Sequence, residues 1–239
     1  MKRRKRRRWL RRIVLLVVAA ACLAVGAVWL ALRHVPAWYT PVHVPEEQLQ
    51  RVRDDLAGKF REVSDRIVAG KPFDVTLTDR MVSEWIDARG QIWPDSQEWI
   101  PPWLADPVVA FLPHRIVLGA HLQRGDWEGI IGLHFQVDCD DRAVVVRLAE
   151  VTWGAVPIPL GRLANTTESL IHAERLDPDA MPDELARLLR KLRTVEVTEF
   201  LNEGVRLEGP LIWKNGDRPY RILAVRLEQG RAVLRIQPL

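Results

Sequence analysis

Two histidines and a cysteine are the residues of this chain that are best suited to metal binding or nucleophilic chemistry: His121, His134 and Cys139. A metal site needs several imidazole, thiolate or carboxylate groups within bonding distance of one ion. The two histidines fall on the same face of neighbouring predicted strands, but the predicted register offsets them by four residues, or about 13 Å. Because that distance is too large for a shared ion, the sequence predicts no metal site.

Other catalytic arrangements are not recognisable in the sequence. It contains no Gly-x-Ser-x-Gly elbow, phosphate-binding loop or dinucleotide-binding fingerprint. No activating base is identifiable near Cys139, and a lone cysteine in a strand usually packs as a small hydrophobic side chain. Asp138, Asp140 and Asp141 fall at a predicted turn, where acids are common. We therefore predict no catalytic residue and no cofactor, although an enzyme whose groups meet only in the fold stays open.

The N-terminus carries the most informative pattern in the chain. Residues 1–12 include nine lysines and arginines, and residues 13–32 include no charged residue. Twenty helical residues span about 30 Å, which matches the hydrocarbon thickness of a bilayer. Because basic flanks stay in the cytoplasm, the pattern predicts a single-pass protein of the bacterial inner membrane. Its basic tail (1–12) would be cytoplasmic, its helix (13–32) would cross the membrane, and the rest would be periplasmic.

Two other interpretations of the apolar run remain open. A cleavable secretion signal has a shorter apolar core and a small-residue cleavage site, which this run does not show. Ala19–Cys22 resembles the cleavage site of a bacterial lipoprotein. Cleavage there would leave apolar residues 23–32 at the start of the mature chain, where lipoproteins usually have a polar linker. The length of the run therefore favours an uncleaved anchor.

The charge balance outside the tail indicates which partners the protein can have. Nine of the 35 basic residues lie in the tail, so the remainder holds 26 basic and 31 acidic residues, a net charge of −5. A nucleic-acid-binding domain needs a basic surface, so nucleic acid is excluded as a partner. The tail is expected to contact anionic lipid head groups. Cys22 lies in the apolar run and Cys139 is alone outside it, so the domain cannot contain an internal disulfide.

The remainder is predicted to be a short stalk followed by one domain. Three prolines within residues 33–45 indicate a semi-extended spacer. Residues 46–239 are predicted to form an α+β domain, in which a curled antiparallel β-meander packs with amphipathic helices. Apolar residues recur every three or four positions from Leu49 to Ile67, which predicts a helix that ends at Gly70. A short strand and a second helix, capped by Thr78, follow.

Residues 114–153 predict three antiparallel strands, because apolar residues alternate there with a period of two. One turn is centred on Gly125-Asp126 and the next on Asp140-Asp141. These turns predict that the following residues face each other: Ile116 and Phe135, Leu118 and Leu133, Leu133 and Leu148, Phe135 and Val146, and Val137 and Val144. The opposite face would carry one row of small residues, Gly119, Gly132 and Ala149.

An unusual insert precedes these strands and is rich in tryptophan and proline. Trp93, Trp99 and Trp103 lie within eleven residues, among prolines that prevent a regular element. One interpretation is a loop whose rings fold onto the core, because large aromatic side chains are mostly buried. The functional interpretation is a lid over an apolar cavity or a wedge that touches the bilayer.

The C-terminal third is predicted to contain helices followed by strands. The helical patterns cover Leu160–Ile171 and Leu185–Leu192, and the pattern of Val195–Glu203 suits either a helix or a strand. Asn215-Gly216 and Gln229-Gly230 are hairpin turn signals. The second turn predicts that Val225 faces Leu234 and that Leu227 faces Ala232.

Several of these features occur together in one known group. A basic-flanked anchor, an amphipathic helix, the string Val75-Thr76-Leu77-Thr78, a β-meander and the break Gly154-x-x-Pro157-x-Pro159 resemble the YpmS-like bacterial membrane-anchored proteins. The resemblance covers most of Phe73–Leu170, and this chain departs from it in the tryptophan-rich insert and the long basic tail. The function of that group is unassigned, so the resemblance implies no catalytic residue. A broader resemblance to tubular lipid-binding folds implies a curled sheet and a long helix around a lipid-facing cavity.

These observations lead to two expectations for function. The first is a non-enzymatic domain that binds a lipid chain or another apolar ligand between the helix of residues 49–67 and the meander. The residues expected to line that groove are Gly119, Gly132, Ala149, Trp93, Trp99 and Trp103. The second is a protein-interaction or scaffold module of a bacterial envelope assembly. Membrane lipids and envelope proteins are accordingly the expected partners.

Overall fold

The computed structural model describes residues 2–93, 96, 100–125, 127–139, 143–159, 204–213 and 218–239. The helices predicted over 160–171 and 185–192, the ambiguous segment 195–203 and the candidate site residue Trp99 lie outside the described residues. The described chain is an N-terminal apolar helix followed by antiparallel sheets and further helices. The predicted α+β class is therefore confirmed.

The first helix, α1, covers Lys2–Leu32. Its segment Leu15–Leu32 has a mean hydropathy of 2.7 over 18 residues and is not buried against the rest of the protein. Leucine and valine side chains of this segment, such as Leu23 at 76%, are largely exposed. A helix of this length and composition is compatible with a membrane anchor.

The second helix, α2, covers Glu46–Ala69 and ends as its sequence predicts. Gly70 adopts a left-handed conformation with φ 72°, and its N–H is bonded to the carbonyl of Ile67, so the helix ends at a glycine cap. Val63 and Ile67 pack with Phe73, Val75 and Ile236. These partners belong to the strands β1, Phe73–Thr78, and β10, Arg231–Pro238.

Two short helices follow β1. The side chain of Thr78 accepts a hydrogen bond from the Met81 N–H and caps α3, Asp79–Asp87, as its sequence predicts. The helix α4, Arg89–Ile92, continues directly from it. Most contacts of α3 are with the edge of the second sheet described below.

The described strands form two antiparallel sheets. The first sheet has the order β1-β10-β9-β8, where β8 is Leu211–Trp213 and β9 is Arg218–Glu228. The second has the order β2-β3-β4-β5-β6, and β7 pairs with β5. Its strands are β2 Leu104–Leu112, β3 Arg115–Arg124, β4 Trp127–Cys139, β5 Ala143–Trp153, β6 Val156–Ile158 and β7 Val205–Glu208.

The two sheets share a hydrophobic core. Val109 and Phe111 of β2 pack with Leu227 of β9 and Ala232 of β10. The face of the second sheet that carries Phe111 is called its inner face here, and the opposite face, which carries Gly119 and Gly132, is called its outer face. The sequence predicts that α2 and the meander enclose a groove. In the structure, Val63 and Ile67 of α2 pack in the core of the first sheet, whereas the strands of the predicted meander belong to the second sheet.

The first and last hairpin registers agree with the predictions. Ile116 faces Phe135 and Leu118 faces Leu133 across β3 and β4. Across β9 and β10, Val225 faces Leu234 and Leu227 faces Ala232. The observed pairs confirm both predictions. Each prediction started from a specific glycine-containing turn signal, which determines the register of a hairpin.

The register predicted for β4 and β5 is wrong by two residues from Phe135 to Cys139 and by three residues at Leu133. The observed pairs are Phe135 with Leu148, Val137 with Val146, and Leu133 with Val151. The register also shifts between His134 and Phe135, so Glu150 faces His134 and Ala149 has no facing residue on β4. A slip of two residues keeps every side chain on its face, so alternation alone does not distinguish the two registers.

The packing of α2 on the first sheet generates a stability prediction. Ile67 is 1% exposed in this core, so Ile67→Ala should lower the free energy of unfolding by ~3 kcal/mol through lost burial and the cavity left behind. Denaturant unfolding of the full-length chain in detergent, followed by near-ultraviolet circular dichroism, measures the change. Val68 is 53% exposed, so Val68→Ala is the matched control and should change it by less than about 0.5 kcal/mol. Equal losses in both variants would contradict this packing.

Candidate functional site

The stalk, residues 33–45, lies against the outer face of the second sheet. Tyr39 is buried together with Val108 of β2 and Ile130 of β4, and Trp38 packs against the same cluster. A turn in which the Tyr39 N–H donates to the Pro36 carbonyl, at 2.9 Å, directs both rings toward the sheet. The segment expected to be a spacer is therefore packed against the domain in this structure.

Trp38 fills the space that two facing glycines leave on the outer face. Gly119 and Gly132 are directly opposite each other across β3 and β4. A β-carbon on Gly119 would lie 2.4 Å from Cζ3 of Trp38, and one on Gly132 would lie 2.9 Å from Cζ2. Any side chain at either position would therefore displace the indole, so only glycine fits beneath Trp38. We call this indole-filled depression the glycine niche.

His134 forms one wall of the glycine niche. Its ring lies 5.9 Å from the Trp38 ring, with an interplanar angle of 84°, which is a favourable edge-to-face arrangement. His134 Nε2 is 3.3 Å from the Thr152 hydroxyl oxygen, and in the described part of the chain the buried Nδ1 has no hydrogen-bond partner. Burial lowers the pKa of His134, while smaller effects of Glu150 and Arg115 raise and lower it respectively. The imidazole is therefore neutral at neutral pH.

Tyr39 is held by a kink in β2. The register of β2 shifts between Ala105 and Val108, and Asp106 has a φ of 50°. The carbonyl of Asp106 accepts a hydrogen bond from the Tyr39 hydroxyl at 3.0 Å. Burial and the nearby Asp106 carboxylate raise the pKa of Tyr39 to about 12, so the phenol stays protonated and keeps donating. This bond attaches the stalk to the edge strand of the second sheet.

The end of α1 is bonded to the same sheet. The Ala155 N–H donates to the Ala31 carbonyl at 2.9 Å, and the Gly154 N–H donates to the Ile130 carbonyl at 2.7 Å. Gly154 has a φ of 56°, and a β-carbon there would lie 2.5 Å from the Ala31 oxygen. The turn between β5 and β6 therefore lies directly against the last turn of α1, and only glycine allows this approach.

A cavity of about 380 Å³ lies between the stalk and α3. The residues that line it are Thr40, Pro41, Val42, His43, Asp79, Arg80, Ser83 and Val109. Ser83 is not a free nucleophile, because its hydroxyl donates to the Val109 carbonyl at 3.2 Å and accepts from the Val109 N–H at 3.1 Å. This serine caps the edge of β2. The mixed polar lining also differs from the apolar groove that the sequence predicts.

The structure brings together two of the six residues predicted to line a ligand site. Gly119 and Gly132 lie together beneath Trp38, whereas Ala149 is exposed at the irregularity of β5. Thr152 faces Gly132 in the place predicted for Ala149. Trp93 is 39% exposed, and Trp103 is half-buried, with its carbonyl bonded to the Gln123 N–H at 2.8 Å.

Trp38, Tyr39 and His134 form the site together with the glycines, and no pattern in the sequence predicts them there. A usable signal was the pair of glycines facing each other in a predicted meander, because facing glycines leave room for an aromatic ring from elsewhere. No local pattern indicates which ring fills that room, since Trp38 is more than 80 residues away in the chain.

The described residues contain no group of three histidine, cysteine or carboxylate side chains that could hold a metal ion. The predicted register that separates the two strand histidines is confirmed: His121 faces Ile130 and His134 faces Val117. His121 is instead 3.5 Å from the Glu128 carboxylate.

Comparisons with known proteins identify no relative. The chain matches no protein-family model, and searches of curated proteins and of solved structures find no similar chain. The resemblance to YpmS-like proteins therefore stays a prediction, and the geometry described above carries the functional argument.

Packing at the glycine niche predicts that Trp38 stabilises the whole domain. Trp38→Ala should lower the free energy of unfolding of the full-length chain by ~3 kcal/mol, close to the loss typical of large aromatic side chains. Trp93→Ala truncates a more exposed indole and should cost clearly less. Thermal and denaturant unfolding of both variants in detergent gives the comparison. If Trp38→Ala unfolds like the wild type, the stalk is not packed on the sheet in solution.

The lowered pKa of His134 predicts a pH-dependent stability. The unfolded chain binds more protons than the folded chain once the pH falls below the unfolded value of about 6.5. The free energy of unfolding should therefore decrease as the pH is lowered from about 7 toward 5. Unfolding curves at several pH values measure this decrease.

His134→Gln keeps a hydrogen-bonding group near Thr152 and removes the titration, so its stability should fall less over the same pH range. His114 is an exposed histidine, so His114→Gln is the matched control and should retain the wild-type slope. Identical slopes for the wild type and His134→Gln would show that His134 does not titrate in this manner.

Proposed function

We propose that the chain is a bacterial inner-membrane protein whose periplasmic α+β domain is a non-enzymatic interaction module of an envelope assembly. The anchor is α1, which is long and apolar enough to cross a bilayer. The basic tail before it supports a cytoplasmic N-terminus under the positive-inside rule, and therefore a periplasmic domain. The excess of acidic residues outside the tail supports protein or lipid partners in preference to nucleic acid.

The observation that carries this proposal is the packing of Trp38 in the glycine niche. The small residues Gly119 and Gly132 are part of the sequence pattern that predicts a ligand groove, and the stalk indole lies over both of them. A domain fastened through Trp38, Tyr39 and the bond between Ala31 and Ala155 stays in one orientation at the end of its anchor. A fixed orientation is useful to a module that presents a surface to neighbours in the membrane.

Three buried polar side chains in the described part of the chain have structural contacts. Ser83 caps a strand edge, Glu84 receives Arg51 and Arg80, and His134 packs edge-to-face with Trp38. These contacts explain the burial of Ser83 and Glu84, whereas the buried Nδ1 of His134 has no hydrogen-bond partner among the described residues. The roles of Ser83 and Glu84 support a binding module over an enzyme.

Binding of an apolar ligand is the second candidate function, and one observation favours it. The ring that lies over both Gly119 and Gly132 comes from the stalk, while Thr152 and His134 of the sheet lie beside it. If Trp38 moved away, the depression over the two glycines would be open to a lipid chain. A curled meander around such a groove, as in tubular lipid-binding folds, belongs to this second candidate.

One experiment separates the two candidates. The full-length chain is crosslinked in intact bacterial membranes, extracted with detergent, and analysed by native mass spectrometry for both assembly mass and retained lipid. The interaction module predicts a defined assembly larger than one chain, without stoichiometric lipid. Trp38→Ala should reduce that assembly, because the domain is no longer held in place, and Trp93→Ala should leave it intact.

A single chain that retains one lipid molecule, with a larger retained amount in Trp38→Ala, would instead establish the second candidate. It would also contradict the interaction module. A single chain with neither lipid nor partner would contradict both candidates.

A further inference from the structure

We infer that the hairpin formed by β5 and β6 is a membrane-contacting foot, which rests on the same bilayer that α1 enters. The foot is defined here as residues 153–159. The inference rests on the proposed role of α1 as a membrane anchor, and it adds a second contact between this chain and lipid. The partner is the lipid surface immediately around the exit of α1.

The position of the foot follows from its bond to the anchor. The Ala155 N–H donates to the Ala31 carbonyl at 2.9 Å, and Ala31 is the penultimate residue of the apolar segment Leu15–Leu32. A hydrogen bond of this length places Ala155 at the same depth as the end of the apolar segment. That depth is the boundary between hydrocarbon and head groups, because the segment is about as long as the hydrocarbon core is thick.

The composition of the foot suits this boundary. Residues 153–159 read Trp-Gly-Ala-Val-Pro-Ile-Pro, a run without charged groups. Ala155, Pro157 and Pro159 are exposed, and Val156 and Ile158 are half-buried. An exposed run of this kind is unfavourable in water and favourable at a lipid surface.

The residues around the foot extend the same surface. Val35, three residues after α1, is 59% exposed. The guanidinium carbon of Arg33 lies 4.4 Å from the centre of the Trp29 ring, so a cation and an indole are stacked at the end of the anchor. Tryptophan is enriched at the membrane interface, and an arginine at that depth can pair with lipid phosphates. The apolar foot, Val35 and this stacked pair thus all lie near the C-terminal end of α1, and each suits the head-group region.

The strand β5 supplies a natural control at the other end of the same sheet. Ten residues separate Trp153 from Ala143, which corresponds to about 34 Å along the strand. Ala143 faces Glu208 of β7, and Glu208 is exposed and charged. A probe at Glu208 therefore reports the end of β5 that lies away from the anchor.

Spin labelling of the full-length chain tests the inference. Cys22 and Cys139 are replaced by alanine, and single nitroxide labels are introduced by Pro157→Cys, Val35→Cys, Glu208→Cys and Leu23→Cys. The chain is reconstituted in vesicles of phosphatidylethanolamine and phosphatidylglycerol. The accessibility of each label to oxygen, which partitions into lipid, and to a water-soluble nickel chelate is measured by electron paramagnetic resonance.

The expected result is a several-fold higher ratio of oxygen to nickel accessibility at Pro157→Cys and Val35→Cys than at Glu208→Cys. The label at Leu23→Cys, in the middle of the anchor, should show the highest ratio. Two foot positions are used so that a folding defect in one variant does not decide the outcome.

Three results would overturn the inference, and they have different meanings. Lipid contact at Leu23→Cys together with water-like values at both foot positions would reject the foot and leave the anchor in place. Water-like values at Leu23→Cys as well would reject the anchor, and with it the proposed function. Equal lipid contact at Pro157→Cys and Glu208→Cys would show the whole sheet lying on lipid, which also rejects a local foot.

Discussion

The packing of one indole on two facing glycines is the interaction on which the arrangement of this protein depends. Without a β-carbon at Gly119 or Gly132, adjacent strands leave a depression about as wide as an aromatic ring. Trp38 occupies it and contacts Tyr39 and His134 with its edges. Trp38 is half-buried there, and the apolar area that its indole removes from water stabilises the contact. This energy turns a proline-containing segment, which would otherwise be extended, into part of the domain.

The hydrogen bonds around the stalk act together with that packing. Tyr39 donates to the Asp106 carbonyl on β2, and Ala155 donates to the Ala31 carbonyl of α1. One bond holds the stalk at an edge strand, and the other holds the end of α1 against a hairpin of the same sheet. The chain between Ala31 and Tyr39 is thus bonded to the second sheet at both ends. The proposals for an interaction module and for a membrane foot both build on these contacts.

Patterns within short segments of the sequence were sufficient to predict part of the fold. The spacing of apolar residues predicted α2 together with its end at Gly70, and turn residues predicted the registers of two hairpins. Those features depend on neighbours in the chain, so periodicity and turn chemistry determine them. The register predicted from Phe135 to Cys139 was wrong by two residues because alternation is unchanged by such a slip, and the bulge makes the error three residues at Leu133. The bulge that leaves Ala149 without a facing residue has no signal of its own.

The candidate site was less accessible to prediction, because its parts come from distant segments. Gly119 and Gly132 were predicted to line an apolar groove, but the ring that lies over them belongs to a segment whose prolines indicated a spacer.

Ser83, which caps β2, has a consequence for contacts between molecules. Its hydroxyl accepts a hydrogen bond from the Val109 N–H and donates one to the Val109 carbonyl, at the edge of the second sheet that β2 forms. An uncovered edge is where one chain adds its strands to another, so this serine makes that edge unsuitable for growth of a continuous sheet between neighbouring molecules.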